Sequence, residues 1–361
     1  MNPIEQFVKR YELRSMNTVK NYRCTLNGFF KVIEKDPNTY FDVKDKTVYE
    51  KDITDYYLSI IKKAPKSRDA RLFCVKSFFM RNGVDIQTYF WKDLSDMVKE
   101  KGSITEDEVP NLEQLQQLLN HAGPREHAWI LFSSSSGTRI GEILQLKEDD
   151  VKLDEDPVRV LVSGMIAKKG YKRTTFISQE AKIELLKWLK IRQEYLDHVK
   201  EASHFVKRSK KDYTNLIFPF TYNTADVAWK KLLKKTGLYK IDERTKRITM
   251  SIHSLRKYAK TRMLYHMPEV EVNYIIGHRR YLSGEYERPE IERVAKSYKK
   301  AEGELSVFMS TRSEQDMKHQ IEDQNKKIES MYLMLEKMTG VTNKKLEKDK
   351  IKIKLERKGG E

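Results

Sequence analysis

SSSSGTRIGEILQL, residues 133–146, places Arg139 directly after a serine run and Gly137, with Glu142 three residues later on the same face of a short helix. An arginine near a helix start is most often a surface residue, and Glu142 could simply be its ion-pair partner. A guanidinium also grips phosphate bidentately and keeps its charge. The residues around this stretch decide between the two interpretations.

The chain is strongly basic. Its 361 residues include 70 Lys and Arg against 53 Asp and Glu, a formal net charge of +17. Such a balance favours a polyanionic partner, because neutralising phosphates releases counterions. An anionic membrane surface is the weaker alternative, since no run approaches the roughly 18 apolar residues of a span. Cys24 and Cys74 are too few for a disulfide framework or a zinc cluster, so we expect a cytoplasmic protein without a metal.

The first hundred residues read as helices. Apolar residues recur at three- and four-residue steps in Thr18–Ile33, Asp52–Lys62 and Arg71–Arg81. These runs predict a small helical bundle over residues 1–100. The stretch KEKGSITEDEVP, which ends at Pro110, then interrupts the periodicity with glycine, serine and acids, and it predicts a linker over residues 101–110.

A larger mixed unit is predicted over residues 111–310. It opens with a helix, NLEQLQQLLNHAG, and continues to two β-rich runs, Val158–Val162 and Thr174–Ile177. Between the runs lies a basic turn, which we expect to carry its cations outward: Lys168, Lys169, Lys172 and Arg173. The fold class is therefore mainly α with a small β-sheet or hairpin.

The C-terminal tail differs from both units. A heptad pattern predicts a helix over residues 311–340, which would either form a coiled coil between protomers or pack on its own domain. Residues 341–361 are charged and are predicted to be disordered.

Two further stretches with candidate site residues follow residues 133–146. SIHSLRKYAKTRML places His253 and Arg256 at i and i+3, on one face of one helical turn, and IIGHRRYLSGEYERPE adds His278 among several tyrosines. Each alone is weak, because a His-x-x-Arg pattern occurs by chance and a Gly-His pair is usually a helix end. In this order they supply fixed cations for phosphate oxygens, a nucleophile and a proton donor.

The three stretches and the basic turn together resemble the tyrosine recombinases, the phage-integrase family. The likeness extends over residues 1–308. SMNTVKNYRCTLNGFF is similar to the family's opening core-binding helix, and SGTRIGEILQL matches its first arginine box. The YERP segment looks most like archaeal integrases. The resemblance implies a helical, SAM-like core-binding domain followed by a mixed α+β catalytic domain.

Carried over residue by residue, the resemblance implies that Arg139 and Arg256 clamp the scissile phosphate. His253 would assist proton transfer from the tyrosine, and His278 would bond a phosphate oxygen. Glu142 would orient the surrounding side chains without reacting.

Lys168, in the basic turn, would be the general acid, with Lys169 and Lys172 as rivals. Further basic residues are candidates for DNA contact: Lys20, Lys169, Lys172, Arg173, Arg279 and Arg280.

The family's nucleophilic tyrosine lies about nine residues beyond the histidine of the Gly-His pair. Tyr286, eight residues beyond His278, fits best. Tyr281 is too close to turn back, and Tyr298 reads as a core or docking residue.

The activity implied is site-specific strand exchange on double-stranded DNA. It would proceed through a 3′-phosphotyrosine and a Holliday junction, with no cofactor, membrane or small-molecule ligand, in a homotetramer that serves a viral or mobile element. The alternatives are a type IB topoisomerase-like relaxing enzyme and a non-catalytic DNA-binding protein on the same scaffold. Glu304–Met309 is a further candidate for docking onto a neighbouring protomer.

Overall fold

The computed structural model describes residues 2–13, 16–42, 45–100, 102, 104, 106–168, 170–202, 215–278 and 289–308. Its contacts define two compact units, Met1–Glu106 with Ile241–Thr249, and Asp107–Lys240 with Met250–Glu361. The helices of the first unit are α1 Pro3–Lys9, α2 Met16–Ile33, α3 Lys46–Ser59, α4 Pro65–Arg81 and α5 Thr88–Asp96.

An aromatic core holds the first unit together. Phe29 on α2 and Phe79 on α4 are fully buried with ring centroids 5.7 Å apart, and Tyr40 lies 5.9 Å from Phe79. The buried Asp52 carboxylate accepts hydrogen bonds from the Lys35 ammonium and the Tyr40 hydroxyl, both at 2.7 Å, so its burial is compensated.

Replacing Phe79 by alanine is expected to destabilise the first unit by about 3–5 kcal/mol, because the cavity would remove contacts with several surrounding rings. Urea unfolding of the full chain measures this loss. The control is Phe73→Ala on the same helix, where the side chain is 62% exposed and the expected change is within about 0.5 kcal/mol. Equal losses in the two variants would contradict the packing assigned to Phe79.

The second unit combines helices with a small antiparallel sheet. Within the described residues the strands are β1 Val151–Lys152, β2 Val158–Val162 and β3 Arg173–Ile177, in the order β1-β2-β3. Val158 pairs with Ile177, and Val162 pairs with Arg173. The helices are α6 Leu112–Asn120, α7 Pro124–Ser136, α8 Ile140–Ile143, α9 Gln179–Ala202, α10 Tyr222–Lys235, α11 His253–Met263, α12 Glu269–Ile276 and α13 Ile291–Leu305. The fold class predicted from the sequence is confirmed.

The serine run that ends α7 is buried at the centre of this unit. The hydroxyls of Ser135 and Ser136 donate to carbonyls of the preceding helical turn at 2.7 and 2.6 Å. Their own carbonyls accept from the Tyr298 hydroxyl at 3.1 Å and the Thr175 hydroxyl at 3.0 Å. Small, internally satisfied side chains thus let β3 and α13 approach α7 closely, immediately before Arg139.

The segment that follows α13 docks onto its own unit. The backbone N–H groups of Val307 and Phe308 donate to the Glu180 carboxylate at 2.6 and 2.8 Å, and Gln116 Nε2 donates to the Val307 carbonyl at 2.7 Å. The sequence led us to expect contact with a neighbouring protomer here. Within the chain, Glu180 and Gln116 supply backbone partners for Val307 and Phe308; docking onto a neighbouring protomer stays a prediction.

Residues Ile241–Thr249 cluster with the first unit although they lie far from it in sequence. Ile241 and Ile248 form an antiparallel bridge, and Asp242 accepts the backbone N–H of Thr245 at 2.6 Å. The segment lacks an alternating apolar run, so periodicity did not indicate it. Across the described ranges, no helix is both long and apolar enough to cross a membrane.

Candidate active site

Gly137 sets the position of Arg139. It ends α7 in the left-handed region at φ +62°, and a Cβ there would lie 2.9 Å from the Ile276 side chain. The chain then extends, so that Arg139 caps α8. The Glu142 carboxylate accepts the Arg139 backbone N–H at 3.3 Å and its Nη1 at 3.2 Å. The glycine therefore fixes the geometry of the first arginine.

Arg256 reaches the same turn from α11. It is buried, and its Nη1 donates to the Gly137 carbonyl at 2.6 Å. His253 lies one turn earlier on α11 and is exposed. Although the residue reaches solvent, desolvation of the covered part of its ring, followed by the charges of Arg256, Lys257 and Arg139, lowers the pKa of His253 below its ordinary 6.5. The imidazole is therefore neutral at pH 7 and able to accept a proton.

Lys168 stands in the connection between β2 and β3. Its side chain is exposed, whereas its backbone N–H donates to Glu142 Oε1 at 3.2 Å. Lys172, also exposed, lines the same cleft. The turn is thus tied to the arginine box through one carboxylate.

Arg173 does not point outward, and that part of the prediction is wrong. It is 7% exposed, its Nη2 donates to Glu142 at 2.6 Å and its Nε donates to the Ile275 carbonyl at 3.0 Å. All five residues of β3 are buried, so a guanidinium at its first position needs internal partners. The sequence pattern started this strand at Thr174, one residue too late to bring Arg173 inside.

Gly277 and His278 terminate α12. Gly277 adopts φ +67°, and a Cβ there would meet the Arg173 side chain at 3.0 Å. The His278 backbone N–H donates to the Asn273 carbonyl at 2.8 Å, and its side chain is exposed. The helix end therefore places Gly277, the residue before His278, against the buried Arg173 side chain.

The positive charges of Arg139, Arg173 and Arg256 outnumber the single negative charge of Glu142. Burial raises the pKa of the Glu142 carboxyl, but hydrogen bonds from Arg173 and Lys168 and the charge of Arg139 outweigh it, and the net pKa is lowered. Burial, together with Arg139 and Arg173, lowers the pKa of Arg256 to about 9. Because a guanidinium stays protonated in proteins, Arg256 adds its positive charge to those of Arg139 and Arg173. Three arginines around one carboxylate favour binding of an anion.

Several of the predicted residues meet at one cleft of about 30 Å³ in the second unit. Its lining is Arg139, Glu142, Ala167, Lys168, Tyr171, Lys172, Arg173, Tyr274 and Gly277. Lys20 is exposed on α2 of the first unit. The other predicted positions lie outside the described residues: Lys169, Arg279, Arg280, Tyr281, Tyr286 and the heptad tail.

Two tyrosines of the second unit have contrasting environments. Tyr298 is fully buried, packs on Phe176 with centroids 5.3 Å apart, and burial raises its pKa well above 10. Tyr274, which the sequence pattern did not single out, lines the cleft from the last turn of α12. Its position three residues before Gly277 was the available signal.

The small sheet, the surrounding helices and the arginine cluster define a catalytic domain of the tyrosine recombinase type. Residues 103–283 match the Phage integrase family, and because this is half of the chain, the chain belongs to that family of site-specific DNA recombinases. None of the curated protein sequences matches the chain.

Solved structures share this fold at low sequence identity. XerH recombinase bound to palindromic difH in a post-cleavage complex is 16% identical at a TM-score of 0.54, over 82% of this chain and 81% of that one. A lambda integrase tetramer bound to a Holliday junction is 15% identical at 0.52, over 80% and 79%. The Tn1549 transposon integrase in complex with transposon right end DNA is 18% identical at 0.51, over 83% and 99%.

Proposed function

We propose that this chain cleaves and rejoins double-stranded DNA through a 3′-phosphotyrosine intermediate, with Tyr286 as the nucleophile. The observation that supports it best is the convergence of Arg139 and Arg256 on one turn: Arg256 donates to the carbonyl of Gly137, two residues before Arg139. An unbalanced positive cluster of this kind suits a phosphodiester whose charge grows in the transition state.

The chemistry follows from these groups. The Tyr286 oxygen attacks the scissile phosphorus, a bond forms between them, and the bond from phosphorus to the 5′ oxygen breaks. A tyrosine with a pKa of about 10 is a poor nucleophile at neutral pH, and two guanidiniums favour its phenolate. The neutral His253 accepts the tyrosine proton. His278 bonds a phosphate oxygen.

Lys168 donates a proton to the departing 5′ oxygen. Its ammonium is exposed, while its backbone is held by Glu142. Reversal of the same step lets the 5′ hydroxyl of another strand attack the phosphotyrosine. The phosphodiester energy is conserved, so rejoining requires no external energy source.

Two of the similar solved structures support a proposed assembly. Lambda integrase is a tetramer on a Holliday junction and XerH is bound to difH. We assign to this chain the same class of partner, duplex recombination sites, and exchange of strands in a homotetramer through a Holliday junction. Exposed cations, Lys20 and Lys172 among the described residues, would contact the backbone. We further propose that the chain acts for an archaeal virus or mobile element, and the YERP segment alone supports this assignment.

The test is capture of the covalent intermediate. The full chain is incubated with a pool of nicked genomic duplexes from its source organism, in which cleavage releases a short fragment and blocks rejoining. Denatured adducts are recovered, their DNA is sequenced and the modified peptide is mapped. The proposal expects a tyrosyl adduct at a recurrent sequence, whereas binding without any adduct would indicate a DNA-binding protein on this scaffold.

The lowered pKa of His253 sets an expected pH dependence. Protonation would block its acceptance of a proton, and the pKa lies below 6.5. We expect the rate of adduct formation at limiting DNA, which reports the free protein, to stay level down to about pH 6.5 and to fall below it. The His253→Gln variant should form adduct more slowly, and its rate should not fall further below about pH 6.5. The same fall in rate at low pH in that variant would show that another group titrates.

A further inference from the structure

The Arg173 side chain contacts three residues of the candidate active site. It opens β3, and its side chain is 5% exposed. One nitrogen donates to Glu142 of the arginine box, another donates to the carbonyl of Ile275, and its side-chain atoms pack on Gly277.

The contact with Glu142 is the shortest of four. Glu142 accepts from Arg173 at 2.6 Å, from the Lys168 backbone at 3.2 Å, and from the Arg139 backbone and Nη1 at 3.3 and 3.2 Å. Charge-assisted bonds to a buried carboxylate are the strong ones. Arg173 therefore sets the carboxylate orientation that the Lys168 turn and Arg139 both follow.

The contact with Ile275 controls a second element. The last carbonyls of a helix lack partners within the helix, and Arg173 Nε caps one of them at 3.0 Å. The guanidinium then stands against Gly277, where a Cβ would come within 3.0 Å. The turn that carries His278 is thereby packed against the same side chain.

We propose that Arg173 is a positioning residue for strand cleavage, which acts mainly by holding the Lys168 turn through Glu142. The inference rests on the proposed function, in which Lys168 protonates the 5′ oxygen. Arg173 does not contact DNA in this scheme. Its loss displaces the general acid and leaves the DNA-binding surface in place.

Arg173→Lys tests the proposal, because one ammonium retains the charge but cannot span Glu142 and the Ile275 carbonyl together. We expect single-turnover cleavage to slow by about a hundredfold, as for a misplaced catalytic group, with DNA affinity within a few-fold of wild type. The matched control is Arg192→Lys on α9. Arg192 likewise joins a carbonyl, that of Leu216 at 2.6 Å, to a carboxylate, that of Glu148, away from the cleft. Its cleavage rate should be unchanged.

A second substrate identifies the step. Replacing the bridging 5′ oxygen by sulfur creates a leaving group that departs without a proton, since thiols have a pKa of about 8.5. The Lys168→Ala variant lacks the proposed general acid, so its gain in cleavage rate on the sulfur substrate is the reference for rescue. The Arg173→Lys defect should shrink by at least about tenfold on it, because general acid catalysis contributes at least that much. Equal defects on both substrates, or cleavage by Arg173→Lys at the wild-type rate, would overturn the proposal.

Folding effects are separated by a second variant. Arg173→Ala leaves a cavity shaped for a guanidinium, and added guanidinium chloride at low concentration should restore cleavage in part, while leaving Arg192→Ala unaffected. A lack of rescue in a variant whose thermal unfolding matches that of wild type counts against the proposal. Absence of any adduct in the wild type would instead refute the proposed function itself.

Discussion

Replacing Arg256 by alanine is expected to slow single-turnover cleavage by about a thousandfold, the scale of losing one preorganised charge from a transition-state site. Arg256 is buried, and burial followed by the charges of Arg139 and Arg173 lowers its pKa to about 9, so a nearby anion would offset the repulsion among the three guanidiniums. The scissile phosphate would supply that anion. The rate is measured as adduct formation on a nicked duplex at saturating DNA.

Arg262→Ala is the matched control for this prediction. Arg262 lies two turns later on α11, where it pairs with Glu304 at 3.3 Å and stacks on Tyr258. Its loss removes the same charge from the same helix without touching the cleft. The affinity for DNA should change little in either variant, because one phosphate contact among many is lost. Cleavage by Arg256→Ala within about tenfold of wild type would remove Arg256 from the phosphate clamp.

Helix α2 of the first unit could be predicted well because its apolar residues follow the helical period. The apolar face of residues 18–33 lies on α2, and its rings Phe29 and Phe30 are buried. Val158–Val162 matches β2 at both ends. Helix α5 was missed, since Thr88–Asp96 is short and concentrates its apolar side chains in Phe90, Trp91 and Leu94. Local pattern is informative where one face alone must be buried.

The failures concern residues whose partners are distant in sequence. Arg173 follows a basic turn and resembles its neighbours, but Glu142 lies 31 residues away and Ile275 lies 102 residues away. Only folding brings them together. The bridge between Ile241 and Ile248 joins the first unit for the same reason, because its association is tertiary.

Arg139 and Arg256 could be proposed as site residues from the sequence because their order and spacing resemble those of the family. Geometry added what spacing could not: the Gly137 carbonyl links Arg256 to the turn that precedes Arg139. The structure also showed that Glu142 serves as the acceptor for three residues at once. A carboxylate three residues after an arginine does not by itself indicate this.

Replacing Tyr286 by phenylalanine is expected to abolish the covalent adduct altogether, since the variant lacks the attacking oxygen while keeping the ring. DNA affinity should remain at the wild-type level. Adduct formation is followed on denaturing gels with the nicked substrate, and Tyr281→Phe is run beside it because it alters another tyrosine of the same segment. We expect Tyr281→Phe to form adduct as the wild type does.

Tyr298 is the rival, and the structure weighs against it. Its side chain is fully buried, its hydroxyl donates to the Ser135 carbonyl at 3.1 Å, and its pKa is raised by burial. Both attack on DNA and ionisation would require α13 to leave its core. Tyr298→Phe should therefore cost about 1 kcal/mol of stability and keep adduct formation. An adduct that persists in Tyr286→Phe and disappears in Tyr298→Phe would reverse the assignment and require α13 to detach before cleavage.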